Sequence, residues 1–140
     1  MMQNSQRLTV LLTVCGALPF YLAQLPVLDE ATRLYAFLSY GAVIASFMAG
    51  TLWGLVQARE RPPLSAIAIS NGFALAAWAS LLMPAGRLAL AVQAISFIGL
   101  LATDRSLLSR ALEKSWYFAL RLRVTLLVLA AYGLALLTFA

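Results

Sequence analysis

Five stretches of this chain carry no formally charged residue: Thr9 to Leu28, Leu34 to Ala58, Pro62 to Gly86, Leu88 to Thr103 and Val124 to Ala140, of 20, 25, 25, 16 and 17 residues. A hydrocarbon core about 30 Å thick is crossed by roughly 20 mostly apolar residues in a helix, so each run has about the length of one membrane crossing. Helices follow rather than strands because lipid offers the backbone no hydrogen-bonding partner, and the runs are too long and lack the alternation of barrel strands. The fourth run is the shortest. At about 1.5 Å per residue it reaches only about 24 Å, which places Arg87 and Asp104 at the interfaces, where a long side chain can snorkel. The expected fold is all-α: one integral membrane domain over residues 1–140, with spans near 9–28, 34–58, 62–86, 88–103 and 122–140.

Composition points the same way. Hydrophobic residues make up 63% and charged residues 11% of the 140, and mean hydropathy is +0.89, whereas a soluble domain runs at about 45–50% apolar and about 25% charged. With no histidine, one cysteine and five carboxylates, the usual zinc, haem and Ser-His-Asp sites have no residues to build them. We therefore expect no metal, no cofactor and no catalytic site. The apolar core of the first run exceeds that of a signal peptide and no small-x-small site closes it, so it is expected to stay as a span, with Cys15 as a small packing residue.

Charge placement sets the expected orientation. If five spans alternate, Arg7, Arg59, Arg61, Arg105, Arg110, Lys114, Arg121 and Arg123 collect on one side, and only Arg33 and Arg87 on the other. The positive-inside rule then puts the N-terminus in the cytoplasm and the C-terminus outside, and the short loops fit a bacterial cytoplasmic membrane. The net charge of +5 is on this reading loop charge, and no nucleic-acid partner is expected. Between the fourth and fifth spans, Leu107, Leu108, Ala111 and Leu112 recur at helical spacing opposite Arg110, Glu113, Lys114, Tyr117 and Arg121. This predicts an amphipathic helix over 104–121 lying along the interface, near lipid head groups.

Within the spans, small and polar residues stand out. Ala42, Ser46, Gly50 and Gly54 recur every four residues, as do Ala68, Gly72, Ala76 and Ser80. Such stripes let helix backbones approach closely, and the two faces are expected to meet within one chain, with a homodimer seam as the alternative. Pro19 predicts a kink. Asn71 and Gln93 are the amides deepest in spans three and four, and each should bond between helices. The tryptophans and tyrosines fall mostly near span ends and read as interfacial belts. Asp104 is an ionisable group at a span edge. Its expected partner is Arg121 or Arg123, in a pair that pins two spans together. The alternative is a proton or cation site.

Several local runs resemble a known family. They are Leu18-Pro19-Phe20, the stretch Ser46-Phe47-Met48-Ala49-Gly50-Thr51-Leu52-Trp53-Gly54, Asp104, and Trp116-Tyr117-Phe118-Ala119-Leu120-Arg121 leading to Thr125. In order and nearly end to end, they are similar to domain-of-unknown-function family 3429, which includes the eukaryotic transmembrane protein 69. The family often carries a histidine before the tryptophan, where this chain has Leu52, so no role of that imidazole transfers. The resemblance implies a small multi-span membrane protein and supplies no activity. The functional expectation is a non-catalytic membrane protein whose partners are the bilayer and either copies of itself or a larger membrane complex. The alternative is a small-solute or ion transporter using Asp104, Asn71, Gln93 and the loop arginines.

Overall fold

The computed structural model describes residues 4–60, 64–109 and 114–139. Every regular element among them is helical, in the order α1 (Asn4–Cys15), α2 (Leu18–Leu22), α3 (Glu30–Gln57), α4 (Leu64–Ala79) with a 3-10 turn (Ser80–Leu82) continuing it, α5 (Arg87–Ser109) and α6 (Ser115–Thr138). Four stretches, Glu30–Gln57, Leu64–Leu82, Arg87–Ser109 and Ser115–Thr138, are long and apolar enough to cross a membrane. Their polarity is arranged inside out. Large apolar side chains such as Val43, Ile69, Leu75, Ile95, Leu126 and Leu137 face outward, while Gln93, Ser96, Asp104, Arg121 and Thr125 are buried. Water would penalise that arrangement and lipid favours it.

The first uncharged run is not one helix. Pro19 has no N–H to give the Cys15 carbonyl, so α1 ends there; the Ala17 N–H reaches back only three residues, to Val14, and α2 restarts with the proline in its first turn. The Gly16 carbonyl at the break is not idle, because the Tyr40 hydroxyl donates to it at 2.6 Å. Re-aiming the chain swings Phe20 into the bundle centre. There its ring meets Phe37, Tyr40, Phe97 and Tyr132 at centroid distances of 5.2, 5.0, 6.1 and 5.6 Å, mostly edge to face. The α1–α2 pair runs beside α3 and α6: Tyr21 donates to the Leu127 carbonyl at 2.6 Å and Gln24 to that of Ala131 at 3.1 Å. Asp29 then caps α3 by accepting from the Thr32 N–H at 2.9 Å and the Thr32 hydroxyl at 2.7 Å. These bonds, with a smaller contribution from Arg33, hold its carboxyl below the usual carboxylate range.

Two other boundaries differ from expectation. The fourth span does not stop at Thr103: α5 continues for 23 residues to Ser109, about 34 Å, with Asp104 and Leu107 buried. A charge neutralised inside the bundle does not have to end the helix. The amphipathic helix expected over 104–121 is consequently not a separate element. Its first part belongs to α5 and Ser115–Arg121 belong to α6, whose N-cap Lys114 is extended at φ −76°, ψ 141°. Arg110, Ala111, Leu112 and Glu113 lie outside the described residues, as do Arg61 and the Pro62-Pro63 pair.

The glycine stripes do not form the helix seams. A Cβ at Gly50, Gly54 or Gly72 would meet nothing within 4 Å, and Ser46 and Ala68 are exposed, so of the first stripe only Ala42 is buried. Close approach happens elsewhere. A Cβ on Gly41 would collide with the Tyr132 hydroxyl and Gln93 Oε1, and one on Gly99 with the Phe73 ring. These two glycines mark where α3 meets α5 and α6, and where α5 meets α4.

Candidate functional site

Two buried polar clusters tie the helices together, one toward each end of the bundle. In the first, the Gln93 amide of α5 donates to the Leu38 carbonyl of α3 at 2.8 Å and to the Ser80 hydroxyl of the 3-10 turn at 2.9 Å. Its Oε1 accepts from the Tyr132 hydroxyl of α6. Gln93 is fully buried, and one amide thus binds three neighbouring elements. Interhelical bonds of this kind contribute about 0.6–2 kcal/mol each.

The second cluster is ionic. Arg121 of α6 donates to Asp104 Oδ2 of α5 from Nε at 3.0 Å, and its Nη2 lies 2.9 Å from the same oxygen. The side chains are 4% and 1% exposed, so both charges are out of solvent and rely on each other. Arg121 Nη1 donates to the Thr51 hydroxyl of α3 at 3.3 Å, and that hydroxyl donates to the Met48 carbonyl at 2.7 Å. The Tyr117 ring, one turn earlier on α6, sits 5.9 Å from the guanidinium carbon.

The spacing explains why both clusters join the same two helices. Gln93 and Asp104 are eleven residues apart on α5, and Arg121 and Tyr132 are eleven apart on α6. Eleven residues is close to three turns, so each helix presents both polar groups on one face. Because the helices are antiparallel, Gln93 meets Tyr132 at one level and Asp104 meets Arg121 about three turns away.

The other sequence candidates fall elsewhere. Asn71 is exposed and its amide donates to the Ile67 carbonyl of its own helix at 2.8 Å, so it bridges no helices. Arg123 is exposed and points away from the pair; two residues is about 200° around a helix, so it cannot share the Arg121 face. Of the family-like residues, Phe20 is the aromatic hub, Pro19 makes the break, and Phe47 and Trp53 face outward. Trp116 stacks edge to face on Tyr117 at 5.9 Å. Tyr132 and Tyr40 are not belt residues: both hydroxyls are spent inside the bundle. No spacing in the sequence singled out Tyr132, and the signal that finds it is the matching eleven-residue interval.

A cavity of about 360 Å³ adjoins the ion pair between α1, α3 and α6, bordered by Thr9, Leu12, Thr13, Ile44, Phe47, Met48, Thr51, Tyr117 and Arg121. Among the described residues, no group of three or more His, Cys, Asp or Glu side chains is placed to hold a metal ion. What the arrangement offers chemically is hydrogen bonding and one neutralised charge pair.

Residues 5–137 match the family model described as protein of unknown function (DUF3429). No curated protein and no solved structure matches the chain.

Proposed function

The chain belongs to the DUF3429 family of proteins of unknown function, and from that premise we propose that it is a non-catalytic membrane protein with five crossings that acts by assembling with copies of itself or with a larger membrane complex. The observation that carries this reading is the use of its buried polar groups. Gln93 and Tyr132, and Asp104 and Arg121, bind each other across helices, and Asn71 bonds its own helix, so the groups a solute path would draw on are already engaged within the protein. This weighs against transport through Asp104.

The fifth crossing is α1–α2. Thr9 borders the same cavity as Thr51 and Tyr117 near one end of the bundle, while Gln24 bonds Ala131 toward the other. Arg33 stacks on Phe139 there, 5.5 Å from the ring centroid. That height supports an N-terminus in the cytoplasm and a C-terminus outside, in a bacterial cytoplasmic membrane. In a Cys15→Ser background, Thr138→Cys is expected to react with a membrane-impermeant maleimide on intact cells, and Ser5→Cys only after permeabilisation. Labelling of both from outside, or of neither, would remove the odd number of crossings.

Assembly rests on the outward glycine stripe. Gly50→Leu is expected to leave the thermal unfolding midpoint unchanged while shrinking the species extracted in mild detergent toward the 15.1 kDa monomer. Gly41→Ala, by contrast, overpacks the Gln93 site and should cost about 1–3 kcal/mol of stability. If Gly50→Leu changes neither quantity, the stripe is not an assembly face.

A further inference from the structure

We propose that the cavity between α1, α3 and α6 binds a neutral, lipid-dissolved molecule that presents a carbonyl-type oxygen to the Arg121 guanidinium. Its volume of about 360 Å³ falls within the range of small-molecule sites, about 300–1,000 Å³, and its lining has their usual character, mostly apolar with a few convergent polar groups. Leu12, Ile44, Phe47 and Met48 supply the apolar wall. Leu12 and Phe47 at its rim are 62% and 69% exposed. A mouth framed by such apolar residues favours an apolar occupant, of the kind dissolved in a bilayer.

The polar end decides what the occupant carries. A guanidinium has five N–H donors. Nε donates to Asp104, and Nη2 lies 2.9 Å from the same oxygen but makes no hydrogen bond among the described residues, while Nη1 makes a single bond to Thr51, which borders the same cavity. The second N–H of Nη1 has no acceptor among the described residues. A donor in an apolar cavity favours an acceptor oxygen. That oxygen should be uncharged. Asp104 already balances the Arg121 charge, so an anionic head group would bring an unmatched charge into a low-dielectric site. A second hollow of about 420 Å³, between α2 and α3, is lined by Pro19, Ala23, Ala36, Ser39, Tyr40 and Val43. It has no charged group and selects nothing.

A neutral carbonyl on an apolar body comes from two sources in a membrane, a quinone ring or the ester of a neutral glyceride, and the test separates them. Trp116 stacks on Tyr117, which borders the cavity, while Trp53 and Trp78 are exposed on the outer face. In a Trp53→Phe/Trp78→Phe protein, decylubiquinone should quench the remaining tryptophan saturably. Because removing Arg121 also breaks the ion pair, the blocking variant is Thr13→Phe, which fills the cavity from α1. It should weaken quenching at least tenfold while keeping the unfolding midpoint. Monoolein that displaces the quinone assigns a general neutral-carbonyl site, and monoolein that fails to displace it assigns a quinone ring. Linear, non-saturating quenching that Thr13→Phe leaves unchanged overturns the proposal, and so does laurate displacing the quinone as well as a neutral competitor. The outcome is independent of the crossing number and the glycine face, so this site can fail without the assembly reading failing.

Discussion

Asp104→Ala is expected to destabilise the protein by about 3–5 kcal/mol, the largest effect of any single substitution outside the aromatic core. The magnitude is that of breaking a buried ion pair by removing one partner. Arg121 would be left with its charge 4% exposed and, among the bonds described above, only the 3.3 Å one to Thr51. Asp104→Asn should cost nearly as much, since the amide keeps the shape but not the charge. The double variant Asp104→Leu/Arg121→Met should recover most of the loss, because well-packed apolar residues replace a buried pair at little cost. Unfolding in mixed dodecylmaltoside and SDS micelles measures all three. A loss below about 1 kcal/mol for Asp104→Ala, well short of the cost of a stranded buried charge, would mean that water reaches Arg121 and that the pair is not sealed.

Gln93→Leu is the second. It removes the acceptor of the Tyr132 hydroxyl and the donor to both Leu38 and Ser80. A buried hydroxyl without a partner costs about 1–3 kcal/mol, so a loss of about 2–3 kcal/mol is expected. Tyr132→Phe alone should cost about 1 kcal/mol, the net value of one hydrogen bond. Combined with Gln93→Leu it should cost less than the sum, because the second substitution removes the group that the first stranded. Strict additivity would show that the two side chains do not share a bond.

Most of the helical architecture is legible from the five uncharged runs, since in lipid an uninterrupted apolar stretch of that length has few alternatives to a helix. The limits of the runs are less so. A charge marks the end of a span only if it has no partner inside, and Asp104 has one, so α5 passes through it to Ser109. The expected interfacial helix over 104–121 dissolves for the same reason. Leu107 of its apolar stripe turns inward as part of α5, and Arg121 of its basic face joins the ion pair. Periodicity tells that one face is apolar but not whether that face meets lipid or protein.

The small-residue stripes show the same ambiguity. Four-residue spacing identifies a face that can be approached closely, and nothing in one chain says what approaches it. Gly50, Gly54 and Gly72 have open space before them, while the crowded glycines are Gly41 and Gly99, which lie in neither stripe. Of the two in-span amides, Gln93 is the interhelical hub and Asn71 faces out. Their local surroundings are similar, and only the azimuth of each on its helix separates them.

The sequence by itself determines the apolar and helical character of the chain, a disturbance of the first run at Pro19 and the fact that Asp104 and an arginine near the start of the last helix must reckon with each other. These follow from local chemistry: the distribution of charge, the missing proline N–H and the cost of an isolated ion in hydrocarbon. Which arginine pairs, which amide turns inward, which glycines are crowded and where a cavity is left are settled by how the helices rotate about their axes. That rotation is a property of the assembled bundle. The eleven-residue interval shared by α5 and α6 is written in the chain, but it acquires meaning only once the two helices lie antiparallel and in register.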